Sequence, residues 1–180
     1  KGQSYAEFQQ KLNFSSKLMG TKDASVSLHT KTYKARGSKL INDKLGFTTI
    51  DHEYAHAIDN AYVFARRPDL RRFAEKYSTK QPLTWMNIEE INEFNRQVAT
   101  CEERMSEEVW KKLKKEYGLS NIEFTKLVKE ELGSYAASSK AEFLAEGFTN
   151  FRSLSSKDST RFIKDFERVF NEEFKKVLGD

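Results

Sequence analysis

Apolar positions recur at helical spacing over most of this chain, and the pattern predicts a mostly helical protein. The clearest case is C-terminal. Phe162, Ile163, Phe166, Val169, Phe170, Phe174 and Val177 fall on one stripe, the core face of an amphipathic helix. Upstream, "KAEFLAEGFTNFRSL" reads as another helix, opened by Ser139 with Glu142 three residues later. Residues 121–132 form one more, and 87–117 a long or broken one. Residues 50–65 make a helix whose start, just before His52, is marked by Thr48 and Asp51 in capping-box relation. Its end is set by Pro68. A short helix is expected over 69–77 and a loop over "STKQPLTWMN". Near the start, Tyr5, Phe8 and Leu12 place a helix within 4–19.

Period two appears once. Over 24–33, Val26, Leu28, Thr30 and Thr32 alternate with Ser27, His29, Lys31 and Tyr33, which reads as a strand. "KARGSK" reads as a turn and "KLIND" as a short second strand. The expected fold class is therefore α+β, mostly α, with a small sheet.

Composition narrows the picture. At 180 residues, with 38% hydrophobic residues and 14 Phe, the chain fits a single domain over 1–180 with a substantial core. Only 2 Pro and 8 Gly argue against a sandwich of short strands. The net charge of +4 comes from 31 basic residues interleaved with 27 acidic ones, as in "EEVWKKLKKEYG", so it reads as solvated helix faces. With no zinc-finger spacing and no RNP-like motif, nucleic-acid binding is not expected. A lone Cys101 excludes an internal disulfide, and no run of 18 apolar residues exists to span a membrane. The first residue is Lys1 and not Met, as in a domain excised from a longer protein; compartment and oligomeric state are not specified.

The candidate chemistry lies in "HEYAH", residues 52–56. On a helix, His52 and His56 share a face one turn apart and can aim both imidazoles at one ion. Zinc takes such nitrogens at about 2.0–2.1 Å. Glu53 is rotated about 100° from His52 by the helical repeat, which suits it to act as general base on a water held by the metal. Two of the chain's three histidines at this spacing, on a helix whose Ile50, Tyr54, Ala57, Ile58 and Ala61 form an apolar side, favour a metal site over coincidence. Asp59 could orient a ligand histidine or simply cap the surface.

A third ligand is needed. The metzincin continuation fails, because it requires a glycine at 59 and a histidine at 62, where the chain has Asp59 and Tyr62. His29 reads as an ordinary strand residue. Glu142 and Glu146 remain, one turn apart on a later helix, and periodicity does not choose between them. Glu142 has a competing explanation as the capping-box partner of Ser139.

"HEYAHAID", with Tyr135 seven residues before "EFLAEGF", resembles the lethal-factor family of zincin metallopeptidases. That family includes the anthrax lethal factor protease domain, the clostridial Pro-Pro endopeptidases and zincin-like domains of phage and mobile-element proteins. Its pattern is HExxH, then a helix reading Glu-Phe-Phe-Ala-Glu-Ala-Phe with a tyrosine seven residues ahead. The resemblance implies a zincin-like fold and zinc held by His52, His56 and Glu142. It implies Glu146 supporting the site, Tyr135 assisting the oxyanion and a peptide or protein substrate. It covers the active-site half of the chain. Ala55 and Gly147 stand where the family has Gly and Ala. About 85 residues separate His56 from Glu142, so 66–130 reads as a helical insertion able to shape substrate choice or cover the cleft. The expectation is a zinc-dependent endopeptidase, with the strand at 24–33 offering an edge to an extended peptide. The alternatives are a zinc-binding module without turnover and a helical interaction module in which HExxH is accidental.

Overall fold

The computed structural model describes residues 6–10, 24–28, 47–78, 85–154 and 157–178. Most of them are helical. Two short strands, β1 (Ala6–Gln10) and β2 (Ala24–Leu28), pair antiparallel, with Phe8 opposite Val26 and Ala6 opposite Leu28. Seven helices follow among the described residues: α1 (Phe47–Arg66), α2 (Pro68–Ser78), α3 (Trp85–Ala99), α4 (Met105–Glu116), α5 (Asn121–Glu131), α6 (Lys140–Ser153) and α7 (Arg161–Leu178). A single 3-10 turn, Ala136–Ser138, leads into α6. None of the described helices is long and apolar enough to cross a membrane.

Local chemistry explains several boundaries. Pro68 stands first in α2, where its missing N–H costs nothing, and it separates α2 from α1. Helix α4 has Glu107 and Glu108 in its first turn and Lys114 and Lys115 in its last, complementing the helix dipole at both ends. Helix α5 starts with a complete capping box between Ser120 and Glu123. Beyond its end, Gly133 takes φ 104°, a conformation that glycine adopts without steric cost.

The core has two parts. The main one joins Ile58 and Tyr62 of α1, Val109 and Leu113 of α4, Phe124 and Val128 of α5, Phe143 and Leu144 of α6, and Phe166 and Phe170 of α7. Helix α6 is central: every residue from Phe143 to Asn150 is buried. Gly147 is required there, because a Cβ at this position would overlap the Phe166 ring. Phe162, Ile163, Phe166, Val169 and Phe170 of the α7 stripe are buried as its periodicity predicts, and Phe174 and Val177 are partly buried against the core. A smaller cluster joins Val63 and Phe64 at the end of α1 to Leu70 and Ala74 of α2, Phe94 and Val98 of α3, and Cys101. The stretch 66–130 thus divides. Its first part builds the small cluster, while α4 and α5 belong to the main core.

Several expectations need correction. Residues 6–10 are a strand and not part of a helix. A short segment with one large apolar residue fits either period, and its partner is distant in sequence. Helix α1 begins at Phe47, so Thr48 lies inside it. Asp51 Oδ1 accepts a hydrogen bond from Arg152 Nε of α6 at 3.2 Å. Tyr54, assigned to the apolar side of α1, is 40% exposed. The stretch 87–117 takes the broken form of its expectation, as α3 and α4, but α3 begins at Trp85, within the expected loop. "KARGSK", "KLIND" and His29 lie outside the described residues.

Candidate metal centre

Helix α1 packs more extensively against α6 than against any other described element. That contact brings "HEYAH" to the first turns of α6. His52, His56 and Glu142 each offer a ligand atom within 4.8 Å of the others, as a site for one metal ion requires. His52 Nε2 lies 3.1 Å from Glu142 Oε2, and His56 Nε2 lies 3.7 Å from Glu142 Oε1. Two donors on a tetrahedral zinc at about 2.0–2.1 Å stand roughly 3.3 Å apart, so both separations suit a shared ion. Glu142 Oε2 is also buried and meets no well-aligned hydrogen bond. A buried carboxylate oxygen needs a cation beside it: protonated His52 in the zinc-free chain, or a metal ion when one is bound. The donor set therefore fits zinc: two imidazoles and one carboxylate.

At Glu142 the backbone N–H and the side chain have separate partners. Ser139 Oγ accepts the Glu142 N–H at 3.1 Å, so the serine caps α6. The Glu142 side chain does not complete the box; it lies against the two histidines. Glu146, one turn on, is fully buried and lies on the far side of His52, with Oε1 3.2 Å from Nδ1. A carboxylate at the second ring nitrogen fixes the tautomer and orientation of a ligand imidazole.

These contacts govern the charges. Burial pushes the His52 pKa down, but the carboxylates at its two nitrogens outweigh this and hold it up at about 9. His56 is pushed down to about 4 by burial and by the charge of His52. Burial opposes ionisation of Glu142, yet His52 and His56 hold its carboxyl below the usual range. Without an ion, the cluster is one imidazolium clasped by two carboxylates beside a neutral imidazole.

Tyr135 starts the turn before α6. Its ring stacks on His52 at 5.9 Å between centroids, and its hydroxyl bonds the Glu142 carboxylate. Glu53 stays out of the three-ligand cluster, as its helical phase dictates. It is half-buried and lines an open pocket next to His56.

Asp59 does not serve a histidine. Oδ1 accepts the Ser106 N–H at 3.0 Å, and Oδ2 accepts Ser106 Oγ at 2.9 Å and Arg104 Nη2 at 2.6 Å. Arg104, at the N-cap position of α4, provides no side-chain cap, and Asp59 supplies the missing acceptor from α1. The distance in sequence between Asp59 and Arg104 leaves no local signal for this pairing. Arg104 and the pocket residues Asn60 and Asn95 were not identifiable from any motif.

Compared with protein-family models, characterised proteins and solved structures, the chain matches none.

Proposed function

We propose that this chain is a zinc-dependent endopeptidase with a zincin-like fold, in the manner its sequence resemblance implies. The observation that carries the reading is the convergence of His52, His56 and Glu142, from two helices distant in sequence, with Glu146 behind His52. A zinc ion bound there would supply Lewis-acid polarisation of a water and of the scissile carbonyl. Glu53, next in sequence to one ligand, takes the proton of the attacking water and delivers it to the leaving amine. Tyr135 donates its hydroxyl to the oxyanion that develops on the carbonyl. Glu146 keeps His52 in the tautomer that ligation needs.

The test uses one preparation for two measurements. Zinc content should be close to one ion per chain, and His52→Ala or His56→Ala should remove most of it. Glu53→Gln should keep the zinc and lose cleavage of a peptide library by roughly 10²–10⁴-fold. Zinc retained in both histidine variants would overturn the site. Undiminished turnover in Glu53→Gln would remove Glu53 from the reaction. A zinc-loaded chain that cleaves nothing would leave a binding module.

A further inference from the structure

The open pocket beside the metal centre has a volume of about 400 Å³, within the range of sites that hold small ligands. Glu53 and His56 line it from α1, so it shares a wall with the reacting centre. Its opposite wall is the end of α3, with Asn95, Val98 and Ala99, and Arg104 at the start of α4. Asn60, one turn beyond His56, completes the α1 side.

The Arg104 wall is fixed. Its guanidinium donates to buried Asp59 on one side and to Ala99 O at 2.9 Å on the other, tying α1, α3 and α4 together. That arrangement is preorganised, which lowers the entropic cost of recognition. It also cancels charge, because the Asp59 carboxylate at 2.6 Å offsets the Arg104 cation. An anionic side chain entering the pocket would meet the Glu53 carboxylate, and Arg104, already offset by Asp59, gives it little in return. A cationic one would pair with Glu53 and occupy the group that proton transfer needs. Val98 and Ala99 supply an apolar floor, and Asn60 and Asn95 supply amides that both donate and accept.

We propose that this pocket is the specificity site of the enzyme, and that it takes an uncharged hydrogen-bonding side chain, Asn or Gln, from the substrate residue beside the scissile bond. The proposal rests on the peptidase reading above for the position of that bond. It assigns to the α3 end of the 66–130 stretch the task of choosing the substrate. Asn95 is the residue to test, since it is exposed and takes no part in metal binding or proton transfer.

The experiment profiles a peptide library carrying Asn, Gln, Leu, Asp or Lys at each position in turn. Cleavage is measured with the zinc-loaded chain, and binding with the zinc-free chain, whose pocket lining is unaltered, which separates recognition from turnover. One position flanking the bond should favour Asn and Gln by about tenfold over the other three, the scale of one or two neutral hydrogen bonds. Asn95→Leu should move that preference towards Leu, and Asn95→Asp towards Lys, with zinc content unchanged in both. Cleavage without such a preference, or a preference that neither variant moves, overturns the pocket assignment and leaves the peptidase. Binding with the amide preference but no cleavage by the unsubstituted chain overturns the peptidase and leaves the pocket. Neither binding nor cleavage overturns both.

Discussion

Two corners of this molecule carry nearly the same short text. Tyr117, Ser120 and Glu123 lead into α5; Tyr135, Ser139 and Glu142 lead into α6. In the first, Glu123 Oε2 accepts the Ser120 N–H at 2.9 Å while Ser120 Oγ accepts the Glu123 N–H at 3.3 Å, a closed box on an exposed surface. Tyr117 donates to Asp165 of α7 at 2.9 Å, a contact between helices and nothing more. In the second, the serine still caps, but the glutamate turns to two histidines and the tyrosine stacks on one of them. The difference lies in the surroundings. Exposed Glu123 closes on the N–H and hydroxyl of its own cap, Ser120, whereas α1 places His52 and His56 within reach of Glu142.

The comparison breaks most sharply at the glutamates. Glu142→Gln should all but abolish zinc binding, by more than the roughly 100-fold that losing an outer partner costs. Glu123→Gln should leave zinc and stability nearly unchanged, because Gln also closes a capping box. Chelator competition on both variants decides this; near-equal zinc affinities would return Glu142 to a capping role.

The tyrosines come next. Tyr135→Phe should keep zinc and fold and lower kcat by roughly 10²–10³, with little change in KM, if its hydroxyl serves the oxyanion. Tyr117→Phe should leave kcat alone and lower stability by about 1 kcal/mol, the scale of one hydrogen bond. Steady-state kinetics and denaturant unfolding of the pair would show an exchange of these effects if the assignment is wrong.

A smaller loss is expected from Glu146→Gln, which leaves a neutral amide at His52 Nδ1 and should weaken zinc binding by roughly 10–100-fold. A loss exceeding that of Glu142→Gln would make Glu146 the ligand.

The mildest lever is pH. A ligand imidazole must be neutral, and His52 in the zinc-free chain keeps its proton up to about pH 9. Apparent zinc affinity should therefore rise about tenfold per unit from neutral pH towards pH 9 and then level off. His56, pushed down to about 4, adds nothing in that window. The sign for folding is opposite. His52's raised pKa stabilises the zinc-free fold fully below its ordinary value of 6.5, and that contribution fades as pH rises through about 9. Titrating zinc affinity and zinc-free unfolding over the same range would give opposed slopes; parallel slopes would mean that His52 does not face both carboxylates.

Local pattern made the helices legible where a stripe was long. The seven apolar positions of α7, the Pro68 boundary and the Ser139 start of α6 all follow from residues close in sequence. It failed where the segment was short or where a partner came from elsewhere. The helix assigned across Phe8 became a strand through pairing with 24–28, and the helix expected to start just before His52 begins at Phe47, with Asp51 held by Arg152 of α6.

The same division runs through the candidate site. By itself the sequence determined that His52 and His56 share a face and that Glu53 does not, because helical phase is a property of spacing along one element. It also determined that Ser139 caps α6, since that bond spans only three residues. That Glu142 lies against both histidines, and Glu146 against the far nitrogen of His52, was decided by the packing of α1 on α6. The departure of Asp59 to Arg104 and the pocket formed with α3 were likewise decided in three dimensions. Each depends on groups that become neighbours only when the chain folds, and a charged side chain that loses water on folding is drawn to the nearest compensating partner in space.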